Sequence, residues 1–281
     1  MPLNSILQQQ QPLSLEHPIL SEDKFFIPFD DAIEMSTLPE RFTYPFNYVP
    51  HPLSLLASSR LQDYLTKQTD LDHNFGLEPG KSGKVIGKMF GVLVVKSQQN
   101  KIGYLAAFSG KLAGSFHHPY FVPPVFDGLQ KGSFLNNGME ELTRINQKIR
   151  FLKEQNSPEG ETKVEELKRL RKSNSIALQA KLFDQFHFLN QAGQEKSLRE
   201  IFTPSSHKNP PAGAGECAAP KLLHYAFQQG MTPLAMAEFW WGLSPKSDFW
   251  KHGRFYPACH EKCKPILSHM LQDIVMDEKP A

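Results

Sequence analysis

Residues 213–270 read GAGECAAPKLLHYAFQQGMTPLAMAEFWWGLSPKSDFWKHGRFYPACHEKCKPILSHM, and all three cysteines of the 281-residue chain lie in this stretch. Leu222, Leu223, Ala226 and Phe227 form one apolar helical face, and Gly230 suits a helix stop. PLAMAEFWW reads as a strand, and FYPACHEKCKPILSHML as a turn into a second helix. Cys217 falls at the N-terminus of the first helix. Cys259 and Cys263 fall near the start of the second, four apart, a spacing that puts both on one helical face. Helix N-termini favour thiolates, and three thiolates with a water or a fourth ligand satisfy Zn²⁺. His224, His252 and His260 are candidate fourth ligands. Three unlinked thiols remain the alternative, because four ligands at standard spacing cannot be read from the sequence.

Bulk properties narrow the partners. With 31 basic against 29 acidic residues, a nucleic-acid surface cannot rest on the whole-chain charge and must be local. Three cysteines are too few and too odd in number for a secreted disulfide scaffold, which points to a reducing cytoplasm. No apolar run approaches the roughly 20 residues that span a membrane, and the N-terminus has no secretory signal pattern.

Working outward towards the N-terminus, residues 1–36, with their Gln8–Gln11 run, read as a mobile leader. The region 37–135 begins with Pro39, Pro45, Pro50 and Pro52 among aromatics, a density that precludes regular helix and predicts an extended wrap over the core. Leu53–Leu65 reads as a helix with His51-Pro52 at its start. Gly80-Lys81-Ser82 lacks the spacing and the following helix of a phosphate-binding loop, and reads as a basic turn. MFGVLVV and IGYLAAF, joined by KSQQNK, predict a hairpin apolar on both faces. His117-His118 read as surface or packing residues rather than ligands, since neighbours point apart.

The region 136–200 changes character. Leu142, Ile145, Ile149 and Leu152, then Val164, Leu167, Leu178, Leu182 and Leu189, flank the break NSPEG and predict a helical hairpin, a short antiparallel coiled coil. Its densest basic run is Lys168, Arg169, Leu170, Arg171, Lys172. As charge on a helix it reads first as a solvated face; as charge on a projecting arm it is a candidate phosphate contact. The region 201–281 then completes the core.

Two family resemblances follow from these residues. Helix, hairpin, helix with Cys217, strand, and Pro257 to Cys263 opening a last helix are similar in order to the cytidine deaminase-like fold, with the helical hairpin inserted before the Cys217 helix. That resemblance implies an α/β, three-layer core with a central sheet flanked by helices, and zinc. The family's catalytic glutamate would fall at Ala219, and three residues rather than two separate Cys259 from Cys263. An active deaminase would need an atypical proton shuttle, Glu216 or Glu238.

The second resemblance covers more of the chain. TLPERFTYPFNYVPHPLSLLA, GECAAPKLLHYA, PLAMAEFWWG and HGRFYPACHEKCKPILSHMLQ resemble the N-terminal extension of long bacterial RluA-type RNA pseudouridine synthases. In that family the chemistry belongs to a C-terminal domain with an Arg-Leu-Asp motif. This chain lacks the motif, and Arg60-Leu61-Gln62-Asp63 is a decoy with one residue too many.

The resemblance implies an accessory region that helps bind or position structured ribosomal or transfer RNA, covalently linked to the synthase domain in the full-length protein. Lys168, Arg169, Arg171 and Lys172 are then candidate phosphate contacts, and Trp240 and Trp241 candidate stacking residues. A zinc-dependent nucleobase or nucleoside deaminase and a protein-interaction module docking through the hairpin are the alternatives.

Overall fold

The computed structural model describes residues 23–29, 33–128, 130, 132–155, 157–204 and 209–278. The leader expected over residues 1–36 lies largely outside them, but its end is built into the core. Phe26 and Phe29 are buried, and β1 (Ile27–Pro28) pairs antiparallel with a central strand.

Helix α1 spans Pro52–Lys67, two residues longer at its C-terminus than expected. His51 caps it, its Nδ1 accepting from the Leu53 N–H at 3.2 Å, and proline supplies the first helical residue, where no hydrogen bond is lost. The hairpin strands β2 (Lys88–Lys96) and β3 (Ile102–Phe108) follow as read from the sequence. The helical hairpin comprises α2 (Phe134–Gln155) and α3 (Pro158–Phe183), parted at the expected break.

The helical reading does not extend to residue 190. His187–Leu189 (β4) and Glu195–Ser197 (β5) form a small two-stranded sheet instead. The reason is burial: Phe183, Phe186 and Phe188 all enter the core, and the last two, as alternate residues, cannot both face inward from a helix. After α4 (Leu198–Phe202), residues 213–270 supply α5 (Ala218–Gln228), β6 (Thr232–Trp241) and α6 (Cys263–Met270).

The main sheet has the order β1-β3-β2-β6 and is antiparallel throughout. Its two faces are buried by different helices, giving three layers. Leu93, Val95, Leu105, Ala107 and Met236 face α5 and α6, whereas Phe90, Val92, Val94, Ala106, Ala237 and Phe239 face α1. That double burial is why both hairpin strands are apolar on alternate as well as successive positions. Gly91 lets α5 approach, since a Cβ there would stand 3.0 Å from the Ala218 Cβ and 3.2 Å from the Leu222 Cδ1.

β6 is an edge strand, and its free edge is covered rather than open. The Met236 N–H donates to the Thr43 hydroxyl and the Glu238 N–H to the Tyr48 hydroxyl. The Trp240 N–H donates to the Arg254 carbonyl, and the Tyr256 N–H to that of Glu238. The Pro-aromatic segment is therefore a wrap over one edge of the sheet, which protects it from pairing with another chain.

Candidate metal centre

Cys217 is the N-cap of α5, with φ −70° and ψ 158° and no side-chain capping bond. β6 and the returning segment 253–258 lie beside that helix start, and Cys263 opens α6. Cys259 precedes α6 in a turn rather than on the helix. The turn is closed by the Lys264 N–H donating to the Cys259 carbonyl at 3.1 Å. The three sulfurs lie within 4.8 Å of one another, and the Cys259 and Cys263 sulfurs are 3.5 Å apart. Three cysteines so placed are close enough to hold a metal ion.

The donor set fits such an ion. Thiolates at about 2.3 Å from a tetrahedral centre stand about 3.8 Å apart, within the observed spread, so closure needs shifts of under about 1 Å per sulfur. Cys263 is buried, Cys217 half-buried and Cys259 exposed, so the cluster opens to solvent on one side. The thiols also share protons unevenly. The Cys259 and Cys263 thiols share a hydrogen bond and both interact with Cys217; bonding with Cys217 and Cys263 pulls Cys259 far below the usual range, bonding with Cys259 pushes Cys217 up, and bonding with Cys217 and then Cys259 pushes Cys263 up.

Beside the thiols lies Glu238 of β6, a buried carboxyl. Its Oε1 accepts from the Ala219 N–H at 3.2 Å. Burial pushes it up to about 7, the Ala219 N–H pulls the other way, and the Cys259 thiolate adds to the rise. A buried acid at that value takes up and releases protons near neutrality. Glu216 goes elsewhere: it is half-buried, and its charge acts on Lys88 and on the buried Lys221. Lys221 donates to the Phe108 and Gly110 carbonyls, and burial pushes it down to about 8.

No imidazole among the described residues joins the sulfurs within 4.8 Å. His224 accepts from the Leu189 N–H, His252 accepts from the Gly242 N–H, and His260 lies against Phe46. His117 pairs with Asp127 and His118 with the Leu112 carbonyl, as befits surface and packing residues.

The candidate RNA contacts are dispersed. Lys168, Arg169 and Lys172 are exposed on α3, with Lys168 paired to Glu165, while Arg171 is half-buried and its Nε has no hydrogen-bond partner among the described residues. Trp241 is buried between Phe239 and His252. Trp240 is covered by Trp250, whose ring stacks on it at 5.0 Å and 21°. Sequence reasoning missed Tyr48, whose hydroxyl bridges the Glu238 N–H and the Tyr256 carbonyl. Its only signal was its place in the Pro-aromatic wrap.

Comparison of the chain with protein-family models, with curated proteins and with solved structures returned no match. No helix among the described residues is long and apolar enough to cross a membrane.

Proposed function

We propose that this chain is an accessory region of a cytoplasmic RNA pseudouridine synthase, binding structured ribosomal or transfer RNA and positioning it for a covalently linked C-terminal catalytic domain. In this reading the core is a deaminase-like unit. Its zinc is held by Cys217, Cys259 and Cys263, where the ion would tie the start of α5 to the start of α6. The hairpin is a short antiparallel coiled coil inserted ahead of the Cys217 helix.

The observation that carries the reading is the exposed run Lys168, Arg169, Lys172 midway along α3, a helix that packs chiefly on α2. Cations on such an arm can meet phosphates with little desolvation of the core. Electrophoretic shift with ribosomal or transfer RNA, repeated with the triple variant K168E/R169E/K172E, tests it. Binding should weaken, and its log-log salt slope should fall by about 0.9 per lost phosphate contact. Unchanged binding would remove the arm from the reading.

One observation favours a second reading, a zinc-dependent nucleobase or nucleoside deaminase. The carboxylate that Ala219 lacks is supplied to the same helix turn by Glu238, through the Ala219 N–H. There Glu238 would hold and pass the proton at its carboxylate oxygens, and Glu216, engaged by lysines, would not. Ammonia release from cytidine or adenosine that is lost in E238Q would establish it; no release from the zinc-loaded protein would exclude it.

A further inference from the structure

At the end of the sheet where β2 begins and β6 ends, two loops meet. The Leu243 N–H donates to the Phe75 carbonyl and the Gly87 N–H to the Leu243 carbonyl. Leu77, Ile86, Leu243 and Phe249 are all exposed there, Phe249 to 64%. Phe249 is not a loose side chain. Its carbonyl accepts from the Tyr256 hydroxyl at 2.6 Å, and that hydroxyl accepts from the Lys251 N–H at 2.8 Å. Its ring packs edge-on to Trp250, with centroids 4.8 Å apart at 83°, and Trp250 in turn lies on Trp240. The ring is thus propped up by an aromatic base and presented to solvent.

The charge around it is one-sided. Residues 76–87 and 243–254 together hold five Lys or Arg against two acids, in a chain with 31 against 29 overall. Lys246, Lys251 and Arg254 are exposed on the Phe249 loop, and Lys84 on its neighbour. An exposed, pre-positioned aromatic ring on a loop with exposed Lys246, Lys251 and Arg254, of which Lys251 pairs at 3.8 Å with Asp248, matches the chemistry of an unpaired nucleotide: a base to stack and phosphates to neutralise. Within duplex RNA the base faces are already stacked on one another.

We propose that this surface is a stacking platform for unpaired RNA, with Phe249 taking a base and Lys246, Lys251 and Arg254 the adjoining phosphates. It rests on the RNA-binding reading and places the single-strand contact away from the helical arm and from the buried Trp241. Because Tyr256 already fixes the loop, little ordering cost falls on binding.

The test is fluorescence anisotropy of the full chain with a labelled mixed-sequence single-stranded RNA and with a blunt RNA duplex. F249A should weaken single-strand binding roughly 5- to 150-fold, the range of one base stack, leave duplex binding within twofold, and be rescued by F249W. K246E/K251E should lower the single-strand salt slope by about 1.4, or 0.7 for each lost phosphate contact. Single-strand binding by F249A within twofold of wild type overturns the platform, even if the arm variant K168E/R169E/K172E still fails, in which case RNA binding stands without it. No binding of either RNA by the wild type overturns the RNA reading itself. Phe249-dependent binding to anionic phosphatidylserine vesicles or to polyglutamate, without RNA binding, assigns the surface to another partner and also overturns it.

Discussion

Replacing His224 with phenylalanine should change the acid sensitivity of the fold in a calculable way. His224 lies on α5, 7% exposed, with its Nδ1 accepting from the Leu189 N–H at 3.4 Å. Burial pushes it down to about 4 from 6.5; Glu195 acts in the opposite direction and His187 in the same one. The unfolded chain therefore binds the proton more readily than the folded one. The stability conferred by the neutral ring is complete above about pH 6.5 and is lost as pH falls towards 4. The linkage amounts to about 2 kcal/mol at pH 5 and about 3 kcal/mol at pH 4.

H224F removes this titration but strands the Leu189 N–H, at a pH-independent cost of about 1–3 kcal/mol. Urea unfolding of both proteins at pH 7 and pH 5 isolates the effect, because titrations not coupled to His224 cancel in the difference and the coupling to Glu195 and His187 acts in opposite directions. The wild type should lead at pH 7, and its lead should shrink by about 2 kcal/mol at pH 5. A lead constant within about 0.5 kcal/mol would refute the assignment of the buried neutral ring.

Other perturbations probe the site and its supports. Protein purified without chelator should carry close to one equivalent of zinc by elemental analysis; a chelator that takes free zinc from about 100 times its dissociation constant to well below it should cost about 2.7 kcal/mol, and C263S should lose both the metal and the chelator effect. G91V should destabilise by about 1–3 kcal/mol in thermal unfolding, because its Cβ meets the Ala218 Cβ at 3.0 Å and α5 must shift; an unchanged melting temperature would mean α5 has slack. Y48F leaves the Glu238 N–H and the Tyr256 carbonyl without their shared hydroxyl, at a cost of about 1–3 kcal/mol, and amide exchange should rise at Glu238 first.

Local patterning made most of the elements readable, and long-range pairing hid the rest. The periodicity of Leu53–Leu65, the continuous apolar runs of β2 and β3, and the break at Pro158 each lie within a short window, so the sequence suffices for them. The end of α3 was misread because Phe186 and Phe188 suit a helix and a buried strand equally until the core they enter is known. The three cysteines announced a cluster, but their spacing could not show that Cys259 sits in a turn, nor that no histidine joins it. Trp240 and Trp241 were stacking candidates only within the RNA reading, a Trp pair in an apolar strand being more often core. Alternation on β6 sends Trp241 to the α1 face, and the loop through Trp250 covers Trp240. Tyr48 was illegible for a simpler reason: its partner lies 190 positions away.

The segment 249–259 links what sequence order keeps apart. At one end it carries Phe249 on its aromatic prop Trp250, which Tyr256 packs against from further along the segment; at the other it carries Cys259. Between them it is tied to β6 by the Gly253, Tyr256 and Trp240 N–H groups and to the wrap by the Ala258 N–H donating to the Pro45 carbonyl. With backbone bonds at four points, the segment cannot slide without breaking sheet-edge pairing, which argues against independent motion of its ends. The thiol cluster and the exposed Phe249 ring are thus held in fixed relation by the one strap that also closes the edge of β6. An ion that draws Cys259 towards Cys217 and Cys263 would secure that strap at its far end. This gives the cysteines a purpose in the RNA-binding reading that needs no catalysis, and it makes the buried Glu238, beneath the strap's middle, the feature by which a surviving catalytic role would be recognised.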